Sequence, residues 1–375
     1  MSGRSDVVIV GGGIIGCGIA YELVKRGVAV TLVERGPIGG EASWASAGII
    51  GIPSRPEWTT ARVDLHRISL ARYPTLRAEL RERCAIDFDY VQPGDLAIAV
   101  DAEAAARRRT VADWQRAEGF AIEELTIAEA RQREPALPAG LQAVWFSPTA
   151  GSLSVHRFTL ALATAAASLG ATILPDTPAG ELLLDRAKVR GVRLLDRELT
   201  AETVILATGA WTRFFGQRLN AGLPTRPVKG QLIAFAGAPL QPRHILSGHG
   251  GYVRPRGDGT TLVAATEEHD AGFDRRVTGD GVAWLLNLTR TLCPILLQGE
   301  VVRTWTGLRP GTDTIDPMIG PVPGHAGLWV AAGHFRSGAV EAPGTAELVA
   351  TAIATGTHDP LLAAFAPPAV NEVVR

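Results

Sequence analysis

The chain begins with residue types suited to holding a phosphate. In "VVIVGGGIIGCGIAYELVKRG", Gly11, Gly13 and Gly16 stand at GxGxxG spacing directly after the apolar run Val7–Val10. The first two glycines let backbone turn tightly and approach a pyrophosphate at a helix N-terminus, and the third lets helix and strand pack closely. A second apolar run, Val28–Val33, ends in Glu34, placed to accept hydrogen bonds from a ribose hydroxyl. That carboxylate would repel a 2′-phosphate, so the pattern reads as an FAD or NAD site and not an NADP site. Far along the chain, "AAGHFRSGAVEAPGTAELVA" (331–350) sets Phe335 and Arg336 between glycines. Backbone can approach a ligand there, and the arginine favours a negatively charged one.

Two further segments favour FAD over NAD. "GPIGGEASWASAGII" (36–50) follows the ribose-binding strand with small and hydroxyl residues. Ser43 and Ser46 can donate to pyrophosphate oxygens, while Ala45, Ala47 and Gly48 leave room for a flat ring system. "AETVILATGAW" (201–211) supplies another buried strand whose Ala-Thr-Gly turn, ending at Gly209, brings backbone to the same nucleotide. In 331–350 the pattern predicts a strand over 328–332, a Gly-rich turn and a helix from about Ala339, with Pro343 in its first turn. Amides of that turn and the helix N-terminus would favour a negatively charged ligand.

These residues need a large scaffold. At 375 residues the chain is long for one core and reads as two interleaved domains, with 46% apolar and 20% charged residues. A net charge of −1 gives no general attraction to nucleic acid or acidic membranes. Cys17, Cys84 and Cys293 form no CxxC and no disulfide framework, which suits a reducing cytosol. No leader pattern or membrane span is read, so a cytoplasmic protein is expected, and no metal site. The apolar stretch 158–174 reads as an Ala-rich helix running into a strand. Between the nucleotide segments, the patterning predicts helices within 54–83, 102–119 and 279–292, a helix stopped by Pro135, and sheet over 88–100, 141–147, 228–236, 251–256 and 261–266. His156 reads as a helix cap.

With those motifs in view, the chain resembles the D-amino-acid oxidase family of flavoproteins, and most closely its glycine oxidase branch. The resemblance runs from "VVIVGGGIIG" through "GGEASWASAG", "RPVKGQ", "GYVRP" and "WTGLRPGT" to "AAGHFRSG". It implies a doubly wound, Rossmann-like α/β FAD domain interleaved with an antiparallel-sheet substrate domain. The expected FAD domain is 1–85, 148–222 and 300–375, and the substrate domain 86–147 and 223–299.

Carried over by motif, Ile14 and Ile15 lie at the pyrophosphate turn, and Glu34 and Arg35 at the adenosine end. Ala42, Ser43, Ala47, Gly48 and Ile49 line the diphosphate and ring, and Ala179 contacts adenine. His334, Phe335, Arg336, Ser337, Gly338, Ala339 and Val340 wrap the pyrimidine end of the flavin. Arg309 resembles the arginine that pairs with a substrate carboxylate, with Tyr252 as its hydroxyl partner and Arg336 nearby. His249 and Glu267 stand close to site positions and bear on side-chain specificity. Relatives with covalent FAD use a cysteine near "WTGLRPG"; Arg303, Thr304 and Trp305 stand here instead, so FAD is expected to be non-covalent.

The implied activity is oxidative deamination of glycine, sarcosine or small D-amino acids by hydride transfer to flavin N5. Reoxidation by O₂ would give hydrogen peroxide. A planar guanidinium suits bidentate grip of the carboxylate, and none of the eight histidines is assigned as a base. The resemblance also implies a homo-oligomer, as a tetramer, and a supply of imine for the thiazole of thiamin. The alternative is a D-amino-acid or D-proline dehydrogenase that passes electrons to a quinone or partner protein.

Overall fold

The computed structural model describes residues 5–369. The nucleotide motifs lie on one sheet. Its strands run in the order Met318–Pro321, Leu328–Ala332, Glu198–Leu206, Ser5–Val10, Val30–Val33 and Thr172–Leu174. All neighbours are parallel except the outermost pair, Met318–Pro321 with Leu328–Ala332. Helices Ile14–Lys25, Val155–Ser168 and Gly338–Thr355 cover one face, and Glu181–Asp185 with Lys188–Arg193 form an antiparallel flap that packs on the other. Strands covered on both sides need apolar residues at every position, which is why "VVIV" and "VTLV" read as unbroken runs.

A second sheet stands over the first. Its order is Glu300–Thr312, Thr225–Ala236, Thr261–Ala264, Gly251–Pro255, Ile245–Gly248, Asp95–Ala99, Ala143–Ser147 and Glu123–Leu125. Every pair is antiparallel except Ile245–Gly248 with Asp95–Ala99. Leu96, Ile98, Leu246, Val253 and Val263 face a core closed by helix Gly279–Leu292. The opposite face looks toward the first sheet, and part of it lies under helix Ala102–Ala117.

Strand Glu300–Thr312 is the edge of the second sheet, paired with Thr225–Ala236 along nearly its whole length. The last crossing to the nucleotide sheet therefore falls after Thr312, not at the expected boundary of 300. Two local readings also change. The helix at Val155 is capped by Ser154, whose short hydroxyl reaches the Arg157 amide, so His156 is not the cap. Pro343 lies inside helix Gly338–Thr355, past its first turn. It withholds the N–H that would bond the Ala339 carbonyl. Tyr73 Oη donates to that carbonyl instead, and Ser69 Oγ accepts the Gly344 amide at 3.0 Å.

Candidate active site

Between the sheets runs a cleft of 1180 Å³. That exceeds the roughly 300–1,000 Å³ usual for one small ligand. Gly11, Gly13, Ile14 and Ile15 line one end, Glu34, Arg35, Ala179 and Gly209 lie beside them, and Ala42, Ser43, Ala47, Gly48 and Ile49 continue inward. His334–Val340 line the far end, beneath Tyr252, His249 and Arg309 of the second sheet.

The glycines of the first turn serve different needs. Gly11 has φ +114°, and a Cβ there would strike the Ala207 carbonyl; one on Gly16 would strike the Gly11 carbonyl. Both are fixed by the fold. A Cβ on Gly13 would meet only Ser43 Oγ, at 3.5 Å, so the protein itself leaves that side open. Gly13 precedes helix Ile14–Lys25 and has no side chain of its own to cap it, so the helix N-terminus opens on the cleft. Ser43 Oγ accepts the Ile14 amide at 3.0 Å, which leaves its proton for a ligand. Glu34 is anchored by the Gly12 and Gly36 amides at 2.7 and 3.0 Å, at the end of its strand. Arg35 lies over the Trp211 ring at 3.9 Å and closes the adenosine end. This open cradle, with a carboxylate one strand away, fits the pyrophosphate and ribose of FAD. None of the three cysteines lines the cleft.

At the far end, Phe335 has φ +52° and its amide donates to the Pro310 carbonyl at 3.0 Å. This ties the Gly-rich turn to the arginine-bearing strand. His334 is buried, with Nε2 2.9 Å from Thr345 Oγ1, and burial pushes its pKa down to about 4. It is neutral. Behind it Arg62 bonds Glu341 at 2.8 Å and the His334 carbonyl at 3.2 Å. Burial alone would raise the Glu341 pKa, but Arg62 and His66 hold it down at about 2. The amides of Gly338–Val340 open the last helix toward the cleft, again with no side-chain cap.

The second sheet supplies the charges. Arg309 is half-buried, stacked over Gly230, and its Nη1 donates to the Thr266 carbonyl at 3.0 Å. Among the described residues no carboxylate lies within ion-pair distance of it. Burial and neighbouring Arg336 lower its pKa from the ordinary arginine value. The Tyr252 hydroxyl lines the same wall with no hydrogen-bond partner among the described residues. Arg336 is exposed at the rim and pairs with Glu267 at 3.0 Å; Glu267 also meets His269 at 3.0 Å and Arg55 at 3.8 Å. Glu267 itself is not on the cleft wall, because its strand ends at Ala264 and Ala265 takes the inward position. It acts as the counter-charge of Arg336. His249, at φ +49°, sits exposed in the mouth.

Sequence reasoning missed one part of the wall. Asp95, Arg108, Gln115, Ser147 and Ser247 line the cleft beyond Tyr252. Burial pushes the Asp95 pKa up to about 6, against its bond from Ser247 Oγ at 2.8 Å and the attraction of Arg108. The alternation in "DLAIAV" carried the signal, since it puts Asp95 and Ala97 on one face, opposite the core residues Leu96 and Ile98.

A nucleotide-binding parallel sheet, a roofing antiparallel sheet and a cationic wall between them define a two-domain flavoprotein oxidoreductase. Comparison with known proteins agrees. The FAD dependent oxidoreductase (DAO) family matches residues 6–352, and the chain belongs to that family. Glycine oxidase of Geobacillus kaustophilus is 37% identical over 93% of each chain. The crystal structure of glycine oxidase from that organism superposes with a TM-score of 0.90 at 34% identity, covering 97% of this chain and 98% of that one. The bifunctional protein ThiO/ThiG of Trichormus variabilis is 31% identical over 96% of this chain and 54% of its own length. FAD is the cofactor, and the protein is an FAD-dependent oxidoreductase.

Proposed function

We propose that the protein is a glycine oxidase: glycine, O₂ and water give glyoxylate, ammonia and hydrogen peroxide, with sarcosine and small D-amino acids as further substrates. The observation that carries this reading is Arg309. A half-buried guanidinium on the cleft wall, held by backbone carbonyls with no carboxylate at ion-pair distance among the described residues, is an incomplete ion pair that a substrate carboxylate would complete.

When bound, FAD supplies the two-electron oxidant for the amine-bearing carbon. Arg309 and the Tyr252 hydroxyl hold the carboxylate, which fixes how the substrate carbon is presented. Gly338–Val340 amides favour negative charge at their end of the cleft. The substrate amine must be neutral to release its electrons, and no side chain is assigned as its base. His334 is bonded to Thr345 and stays neutral, so it supports the turn and does not exchange protons with substrate. The expected tetramer and the delivery of imine toward the thiazole of thiamin remain parts of this proposal; the two-part name of the Trichormus relative supports the second.

Anaerobic titration of the holoenzyme with glycine, sarcosine, D-alanine, D-proline and L-alanine tests the reading. Glycine or sarcosine should bleach the flavin, and air should restore it with stoichiometric peroxide. Bleaching without reoxidation in air would transfer the assignment to a dehydrogenase. A flavin that none of these amines bleached would end the amino-acid assignment.

A further inference from the structure

The cleft continues past the residues that a small amino acid would occupy. Tyr252 pairs with Ser247 across one strand boundary, and Ser247 in turn pairs with Ala97 on the strand that begins at Asp95. Asp95 thus lies two strands from Tyr252, roughly 10 Å at the usual strand spacing, on the side away from Arg309. Glycine held at Arg309 and Tyr252 would not reach it.

This end of the cleft holds polar groups that the protein leaves unmatched. Ser147 stands directly opposite Asp95 in register and is 3% exposed, yet its Oγ has no hydrogen-bond partner among the described residues. Asp95 Oδ2 accepts from Ser247 at 2.8 Å, whereas Oδ1 is buried without a partner. Facing them from helix Ala102–Ala117, Arg108 donates to Gln115 Oε1 at 3.0 Å and keeps a buried Nε unpartnered. Arg108 makes no ion pair with Asp95, although the attraction between them is felt at the carboxylate. Buried polar atoms are nearly always satisfied, because each one left unmatched keeps the cost of its lost hydration. An acceptor and a donor that form no ion pair with each other on one cavity wall, with a hydroxyl on the strand beside the acceptor, form a receptor for a group that both donates and accepts.

We propose that Asp95, Ser147 and Arg108 form a second substrate subsite, which binds a carboxamide-like group on the tail of an amino-acid substrate. The tail's N–H meets Asp95 and its carbonyl meets Arg108, while the α-carboxylate stays at Arg309. This rests on the amino-acid reading of the cleft and extends it to longer substrates.

Two probes decide the matter: glycine carrying N-(4-carbamoylbutyl), and its apolar isostere N-(5-methylhexyl)glycine. A third, the D-amino acid with a 4-carbamoylbutyl side chain, distinguishes a tail on the α-carbon from one on nitrogen. Dissociation constants are measured by calorimetry on anaerobic holoenzyme whose flavin has been reduced beforehand with dithionite, so the amine cannot be oxidised and the answer does not depend on turnover. The carbamoyl tail should bind about ten-fold or more tighter than its isostere, the scale of one charge-assisted hydrogen bond. Asp95→Asn and Arg108→Met, each checked for full flavin content, should bring that ratio to about three-fold or less. Equal binding of both tails by the wild type would overturn the subsite, with water as its ordinary occupant. So would a preference that survived both substitutions. Bleaching by glycine in the same preparations reports separately on the amino-acid reading, so the two can fail independently.

Discussion

The floor and the roof of the cleft are built by opposite means. The floor approaches its ligand with backbone: a glycine turn, two helix N-termini without side-chain caps, and a carboxylate fixed by two amides. The roof uses side chains from strands far apart in sequence, among them Arg309, Tyr252 and Asp95, the last bonded by Ser247 from the neighbouring strand. A backbone cradle tolerates no added atom at the turn, but a side-chain wall can be altered one group at a time. The FAD site should therefore fail abruptly under mutation, and the substrate site by degrees.

The sharpest break in that contrast is within the floor. Gly16→Ala places a methyl against the Gly11 carbonyl and should cost ~3–5 kcal/mol, read as loss of soluble holoenzyme. Gly13→Ala has room in the protein and should fold normally, yet its FAD dissociation constant should rise at least about ten-fold, because the methyl points into the cradle. If both variants held FAD like the wild type, the backbone account of the floor would fail.

On the roof, Arg309→Met should retain FAD and lower kcat/KM for glycine by about 10²–10³, or ~3–4 kcal/mol. Steady-state kinetics at matched flavin content checks this, and wild-type kinetics would remove Arg309 from the substrate. Asp95→Asn should act on stability. The native carboxyl titrates near 6, against an ordinary value of 3.8, so only below about pH 3 is it protonated in both states and free of any penalty. As pH rises through 6, the wild type loses stability that the amide variant keeps. Thermal melts should show Asp95→Asn more stable by ~1–2 kcal/mol at pH 8, with that gain cut to about a third near pH 4.5. A gain of equal size at both pH values would exclude the carboxyl as its source. The smallest effect belongs to Arg336→Gln, about three- to ten-fold in kcat/KM, because exposure and Glu267 already offset its charge. A loss as large as that of Arg309→Met would make Arg336 an equal partner in gripping the carboxylate.

What the sequence disclosed follows the same division. Gly11, Gly13, Gly16 and Glu34 could be read directly, because a βαβ unit brings its ligand contacts together within about thirty residues and each residue type has a steric or hydrogen-bonding cause. Pro343 was legible as a backbone feature but misplaced, since the Tyr73 hydroxyl that makes it tolerable comes from another helix. Arg309 could be identified only through its motif. Nothing near it in sequence says that Thr266 would hold its guanidinium and no acid would face it. Glu267 looked like a substrate contact for the same reason: its partners Arg336 and Arg55 lie 69 and 212 residues away. Asp95, Ser147 and Arg108 carried a faint strand alternation, but their convergence depends on sheet order, which spacing alone does not express.

The Leu328–Ala332 strand, next to Glu198–Leu206 in the first sheet, also constrains how the protein is made. The turn that follows it closes the FAD cleft, yet the cleft's opposite end is formed by Val10, Gly11, Gly13, Ile14 and Ile15. A ribosome must release nearly the whole chain before both ends of the cofactor can be held. Since chains emerge at about 5–20 residues per second, the N-terminal glycine turn waits on the order of twenty seconds or more for its counterpart. Flavin can thus seal the assembly at the end of synthesis, but it cannot template the beginning.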